Sequence, residues 1–312
     1  MPANQLQQNG KKNTSIKLSP LVKRYLQASL SENTRRAYSN DLKHFINWGG
    51  RIPASPEVVA TYLAEHATKL SWGTLSHRVV AINQAHLAKR RASPTQSDLV
   101  KSTLRGIRRS SCHVLRKVTP ALLPQIQEMV KESKGIRNKR NRALLLLGFA
   151  GAFRRSELVS IKVEDIEFVP KGMVINLSRS KTDQTGSGRH IAIPITKGKY
   201  CPVKAVKDWL KVSCISSGAV LRNVNRHGQV MDQGLTPQSV ALIIKESVSA
   251  IGLDPKQFSG HSLRAGFVTN AAIKGVSNWK ICQQTGHKSD AVMQGYIRDN
   301  NLFSNNPLMK IW

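Results

Sequence analysis

Between Arg108 and Thr119 the sequence is basic, loses its hydrophobic period and runs into Pro120. A stretch with no apolar face to bury, ended by a residue that cannot continue a helix, reads as a linker. It divides the 312 residues into two bodies with separate cores, each of ordinary domain size. The boundaries follow: a polar arm over 1–17, rich in Gln, Asn and Lys and expected to be disordered; a helical domain over 18–108; the linker over 109–119; and a second domain over 120–312.

Apolar residues before the linker recur at helical spacing. Tyr38, Leu42, Phe45 and Ile46 share one face of a segment that Ser31 or Asn33 can cap and that Gly49-Gly50 ends. Ser55-Pro56 opens a second segment with Val59, Tyr62, Leu63 and His66 on its stripe. Ser71 precedes a third carrying Leu75, Val79, Ile82 and His86, and a fourth runs from Ser97 to about Arg108. A unit of four or five helices is expected. Beyond the linker, helices over 120–133 and 139–151 precede two strands, 171–177 and 189–195, the second alternating through Ile191, Ile193 and Ile195. The polar, glycine-bearing segment 178–188 reads as a mobile hairpin loop, and from Lys204 helices dominate again. The expected fold class is mainly α with a small antiparallel β-sheet.

Charge narrows the partner. The chain has 48 Lys and Arg against 18 Asp and Glu, a formal charge of +30, and the excess is shared equally by the stretches before and after Thr119. Such a chain repels itself unless a polyanion neutralises it, so both domains should touch one. A membrane-surface protein would need a basic amphipathic anchor or a long apolar span; the longest apolar run, Ala143 to Phe149 broken by Gly148, is too short to cross a bilayer. Nothing at the start resembles a secretory signal, so a cytoplasmic, nucleoid-associated protein is expected, with no membrane partner. Cys112, Cys201, Cys214 and Cys282 lack the paired spacing of a zinc site or a disulfide framework. With no P-loop either, no cofactor and no metal are expected.

Chemistry concentrates in a few phrases. In Gly260-His261-Ser262-Leu263-Arg264 a helix opened by Ser259 or Gly260 would carry His261 and Arg264 three apart, aiming a ring nitrogen and a guanidinium at one spot. Further on come Gly286-His287-Lys288-Ser289 and then Tyr296, within a helix that Ser289 or Asp290 can cap. Earlier, Phe153-Arg154-Arg155-Ser156-Glu157-Leu158 follows the apolar helix and sets Arg154 and Glu157 three apart, and Lys181 lies in the hairpin loop. Lys197, Lys199 and Lys288 are nearby alternatives to Lys181.

Together these motifs resemble the tyrosine recombinase, or phage integrase, family: an Arg-x-x-Glu box, a hairpin Lys, a His-x-x-Arg box, a Gly-His pair and a Tyr beyond it, in that order. The phrase Ser259-Gly260-His261-Ser262-x-Arg264 and the ending Tyr296-Ile297-Arg298 are similar to the Cre-like subgroup. The Ser-Glu-Leu that follows favours Arg154 over Arg155 as the family arginine. The resemblance implies a two-domain DNA clamp, a helical core-binding domain with a tyrosine recombinase catalytic domain, that cuts and rejoins strands through a 3′-phosphotyrosyl link.

The chemistry accounts for the set. A phenol with a pKa near 10 is only about 0.1% phenolate at neutral pH, and a phosphodiester repels nucleophiles. Arg154 and Arg264 would neutralise the non-bridging oxygens as charge builds in the transition state. His261 and His287 would donate to the phosphate or take the phenolic proton, Lys181 would protonate the leaving 5′ oxygen, Glu157 would orient an active-site cation, and Tyr296 would attack.

The basic helix ends and faces of the first domain supply DNA-binding candidates: Arg35, Arg36, Lys43, Arg78, Lys89, Arg90, Arg91, Arg105 and Arg108. They are expected to contact phosphates rather than bases. By resemblance, two protomers bind inverted half-sites of duplex DNA and four assemble at synapsis. The apolar segment 302–312, with Phe303, Leu308, Met309, Ile311 and Trp312, is expected to dock on a neighbour or on its own domain. Two alternatives share the charge: a type IB topoisomerase or telomere resolvase with the same residues, and a catalytically silent DNA-binding relative that has lost the pocket.

Overall fold

A computed structural model describes residues 19–110, 118–132, 134–177, 188–287 and 308–311. The chain divides into two compact units, Met1–Leu115 and Arg116–Trp312. Among the described residues no helix is long and apolar enough to cross a membrane.

The first unit consists of α1 (Pro20–Ala28), α2 (Glu32–Asn47), α3 (Pro56–His66), α4 (Trp72–Ala88) and α5 (Asp98–Ser110). Four of these start in the same way. Ser19, Ser31, Ser55 and Ser71 are extended N-caps whose hydroxyls accept the N–H of Val22, Thr34, Val58 and Thr74, which satisfies a donor that the first turn leaves over. Ser31, not Asn33, is therefore the cap of α2. Phe45, Val59, Tyr62, Leu63, Leu75, Ile82 and Val100 form the core. His86 is fully buried but satisfied: Nδ1 meets the Ile82 carbonyl at 2.8 Å and Nε2 accepts the Ala54 N–H at 2.9 Å.

Arg78 also belongs to this interior, being only 8% exposed. Its Nη1 lies 2.9 Å from the Tyr62 hydroxyl and 2.8 Å from His44 Nδ1, and its Nε lies 3.6 Å from Asp41. A guanidinium held inside by three partners is not presented to a phosphate, so Arg78 leaves the set of DNA contacts. Its role is to satisfy polar groups that α2 and α3 bury.

The second unit contains α6 (Leu123–Met129), α7 (Ile136–Ala150), α8 (Arg155–Ser160), β1 (Ile166–Val169), β2 (Gly172–Leu177), β3 (Arg189–Pro194), α9 (Pro202–Ser213), β4 (Arg222–Val224), β5 (Val230–Gly234), α10 (Pro237–Ala250), α11 (Ser262–Ile273), α12 (Asn278–Thr285) and a last turn, α13 (Leu308–Ile311). The three-stranded sheet is antiparallel in the order β1-β2-β3, with Ile175 opposite Ile191 and Met173 opposite Ile193. These residues bury one face, as their alternation requires. Helix α7 is the axis of the core. Leu144, Leu145, Leu146 and Leu147 are buried in it, and it packs against α9 and α11.

Several boundaries differ from the sequence reading. The helix expected over 120–133 forms only from Leu123 to Met129, because the chain before it is tied to the start of α11 and the turn that precedes it: the Thr119 N–H reaches the Gln257 carbonyl at 3.0 Å and the Ala121 N–H reaches that of Ser262 at 2.9 Å. The approach is close enough that a Cβ on Gly266 would stand 1.8 Å from the Ala121 oxygen. Helix α7 opens three residues early, after Gly135 at φ 81°. Strand β1 and the β4–β5 hairpin were not anticipated.

Candidate active site

At the end of α7 the chain turns sharply through Ala152, a non-glycine residue at φ 47°. Such a conformation is kept only where the surroundings enforce it, and here the Ala152 carbonyl accepts Nη1 of Arg264 at 2.8 Å. Phe153 is buried beyond it, and Arg154 is extended at the N-terminus of α8. One turn on, Glu157 folds back: Oε2 accepts the Arg154 N–H at 2.9 Å and Oε1 accepts Arg154 Nη1 at 2.6 Å. The Glu157 side chain is only 2% exposed. Arg155 is exposed, and its side chain lies over Gly260, where a Cβ would stand 1.9 Å from its Cδ. Of the two arginines, it is Arg154 whose contacts with the buried Glu157 carboxylate are seen.

The opposite wall comes from α11 and α12. A tight turn, with Ser259 N–H on Ser262 Oγ at 2.9 Å, delays α11 to Ser262, so that neither Ser259 nor Gly260 opens it and His261 is its N-cap. Arg264, in the first turn of α11, is 1% exposed. Helix α12 ends on Gly286 at φ 68°, which turns His287 back toward the arginines. The Thr285 hydroxyl donates its single proton to the Ile281 carbonyl at 2.8 Å, so toward His287 Nδ1, also at 2.8 Å, it can only accept. Neutral His287 therefore carries its proton on Nδ1 and the lone pair on Nε2.

One member of the pocket was missed from sequence. Arg189, the first residue of β3, sends Nη2 to Glu157 Oε2 at 3.4 Å and Nη1 to the Gln284 carbonyl at 3.1 Å. It shares a face with buried Ile191 and Ile193, and an arginine in phase with the buried side of a strand was the signal available. Glu157 thus pairs with two cations.

This concentration of positive charge sets the histidines. Burial first, then Arg264, Arg154, His261 and Arg189, push His287 down from the ordinary 6.5 to about 4. His261 still meets solvent, yet partial loss of hydration, followed by Arg264, Arg154 and Arg155, lowers it as well. Burial also lowers Arg189, an effect that Glu157 opposes. Both rings are neutral at pH 7 and able to accept a proton.

A consequence for stability follows from His287. The unfolded chain takes up its proton near 6.5 and the folded chain only near 4, so between these values the unfolded state binds more protons and stability falls as pH drops. Above 6.5 both states are neutral and the residue contributes nothing to the pH dependence. We expect the urea midpoint to decrease from pH 7 to pH 5, and to decrease less in His287→Gln.

Arg154, Glu157, His261, Arg264 and His287 are thus brought together. Lys181 and Tyr296 lie outside the described residues, as do the arm 1–17, the loop 178–187, and Phe303 and Trp312. Of the 302–312 segment only one helical turn is described, with Leu308 and Ile311 exposed. In the first unit Arg35, Arg36, Lys43, Lys89, Arg90, Arg91, Arg105 and Arg108 are exposed. Arg108 stacks over Trp72 at 4.7 Å, beside Lys101 and Arg105.

The model of the phage integrase family matches residues 116–302. The chain belongs to that family, the tyrosine recombinases. An integrase/recombinase XerD homologue of Selenomonas ruminantium is 37% identical over 97% of this chain and 92% of its own length. A tyrosine recombinase XerC of Syntrophus aciditrophicus is 26% identical, covering 87% and 88%. In fold, this tyrosine recombinase is similar to the XerH site-specific recombinase bound to a palindromic difH substrate, with a TM-score of 0.62 at 17% identity over 88% of this chain and 78% of that one.

Proposed function

We propose that this tyrosine recombinase is a site-specific DNA strand transferase that works through a 3′-phosphotyrosyl intermediate on Tyr296. The observation that carries the reading is the convergence of Arg154, Arg264, His261 and His287 above one buried carboxylate, Glu157. Three arginines and one carboxylate leave a net positive pocket that a phosphodiester would neutralise, and Tyr296, the tyrosine beyond the Gly286-His287 pair, lies within the residues that match the family.

In this mechanism Arg154 and Arg264 donate to the non-bridging oxygens, most strongly as negative charge accumulates in the five-coordinate transition state. His261 or His287, through a ring nitrogen with its lone pair, takes the phenolic proton as the Tyr296 oxygen bonds to phosphorus. The bond to the 5′ oxygen breaks, and Lys181 protonates the leaving group. The phosphotyrosyl bond preserves the energy of the broken one, so attack by a 5′ hydroxyl from another strand reseals DNA and releases the tyrosine.

Duplex DNA is the partner in this reading, held by a clamp of both domains (18–108 and 120–312). The exposed cations Arg35, Arg36, Lys43, Lys89, Arg90, Arg91, Arg105 and Arg108 contact phosphates, which makes affinity fall steeply with salt. Two protomers occupy inverted half-sites and four assemble at synapsis, with 302–312 as a docking segment. The Ser259–Arg264 phrase and Tyr296-Ile297-Arg298 support a Cre-like pocket. The test is trapping on a nicked duplex that carries the inverted repeats flanking the gene. We expect a protein–DNA adduct stable to denaturant, absent from Tyr296→Phe; an equal adduct from that variant would overturn the assignment.

A further inference from the structure

The motifs that point to strand transfer do not include Arg189, yet its guanidinium ties three elements together at the pocket. From the first position of β3 it reaches the Glu157 carboxylate on α8 at 3.4 Å and the Gln284 carbonyl in the last turn of α12 at 3.1 Å. Its edge also fills the space over Gly286, where a Cβ would stand 2.4 Å from Nη1. That glycine is the turn that delivers His287. The Arg189 side chain is 18% exposed, so solvent weakens these contacts little.

We propose that Arg189 is a positioning residue for strand transfer: it fixes Arg154, through the carboxylate they share, and His287, through the end of α12, in one arrangement before DNA binds. The proposal rests on the reading above that the pocket performs strand transfer. Glu157 by itself would hold only Arg154, with which it already makes contacts of 2.6 and 2.9 Å. Among the described residues the Glu157 carboxylate bonds only Arg154 and Arg189, neither of them on α12. Arg189 supplies that link, and the planar fork is what makes it possible, because two of its nitrogens serve two acceptors in fixed directions. The Gln284 carbonyl is one of the acceptors that a helix end leaves over, and a cation is favoured there.

Charge acts in the same direction as geometry. The groups that bear on His287 are Arg264 of α11, Arg154 at the start of α8, His261, and Arg189 of β3, with Thr285 of α12 on Nδ1. Each charged member opposes an imidazolium. Arg189 thereby adds to the charges that keep the His287 ring neutral.

Two measurements test this together: the rate of adduct formation on the nicked duplex, and titration of the His287 ring by NMR on the free protein, assigned with His287→Gln. Arg189→Gln should slow the adduct by roughly 10–100-fold, the scale of a misplacement of about 1 Å, and should raise the His287 midpoint slightly above about 4, since burial, Arg264, Arg154 and His261 weigh more on it than Arg189 does. Arg189→Lys keeps the charge and loses the fork, so it should slow the adduct while the midpoint stays low. A slower Arg189→Gln with an unmoved midpoint indicates general damage and overturns the proposal; so does a wild-type rate in either variant. If Arg189→Gln does not fold, the rate of Arg189→Lys decides alone. A wild-type chain that forms no adduct defeats the strand-transfer reading instead, while the midpoint still reports on Arg189.

Discussion

Arg264→Lys should form the covalent adduct about 10²–10³-fold more slowly than the wild-type chain, the usual consequence of removing one donor aimed at transition-state charge. The substitution keeps the charge and nearly the reach, which makes it the stringent version of the test. Arg264 is 1% exposed and directs Nη1 to the carbonyl of Ala152, the residue at φ 47°. A planar fork can hold that strained turn with one nitrogen while others face the phosphate; an ammonium is a single point and must choose. Binding to the duplex should change much less, since many exposed cations share it. Single-turnover adduct formation at saturating protein separates the two effects, and a wild-type rate for Arg264→Lys would remove Arg264 from the chemistry.

What was legible in the sequence was whatever a local rule dictates. Serines placed before an apolar stripe became the caps of α2, α3 and α4, because a hydroxyl at that position meets an unpaired N–H whatever the rest of the chain does. The alternation of Ile191 and Ile193 gave β3 its buried face. Arg154, Glu157, His261 and Arg264 were recognisable because their spacing is tied to the starts of α8 and α11.

Features that depend on distant partners were hidden. Strand β1 has four residues with its middle two exposed, and β4 has three, too few to show a period; they exist because a neighbouring strand completes their hydrogen bonds. Helix α6 starts late only because α11 claims the N–H of Ala121. Arg78 and the exposed arginines around it look alike in sequence. What separates them is the buried group formed by Tyr62, His44 and Asp41, contributed by α2 and α3. Arg189 was hidden for the same reason, since its acceptors lie on α8 and α12.

Glu157→Ala should destabilise the second unit by about 3–5 kcal/mol, the range for breaking a buried ion pair from one side. The carboxylate is 2% exposed and faces two guanidinium groups that are 20% and 18% exposed. Removing it deletes three hydrogen bonds and leaves Arg154 and Arg189 repelling each other in a poorly hydrated space already raised in potential by Arg264. Glu157→Gln, which keeps the shape and one acceptor, should lose less stability. Two consequences separate this electrostatic account from simple loss of packing. The double variant Glu157→Ala/Arg189→Leu should cost clearly less than the sum of its parts, because the second change removes one of the cations that the first has orphaned. Target DNA should raise the melting temperature of Glu157→Ala more than that of the wild-type chain, because the bound phosphate replaces the missing negative charge. Additive single effects, measured by urea denaturation, together with equal stabilisation by DNA, would mean that Glu157 only fills space and that the pocket's charge is not held in waiting for a phosphate.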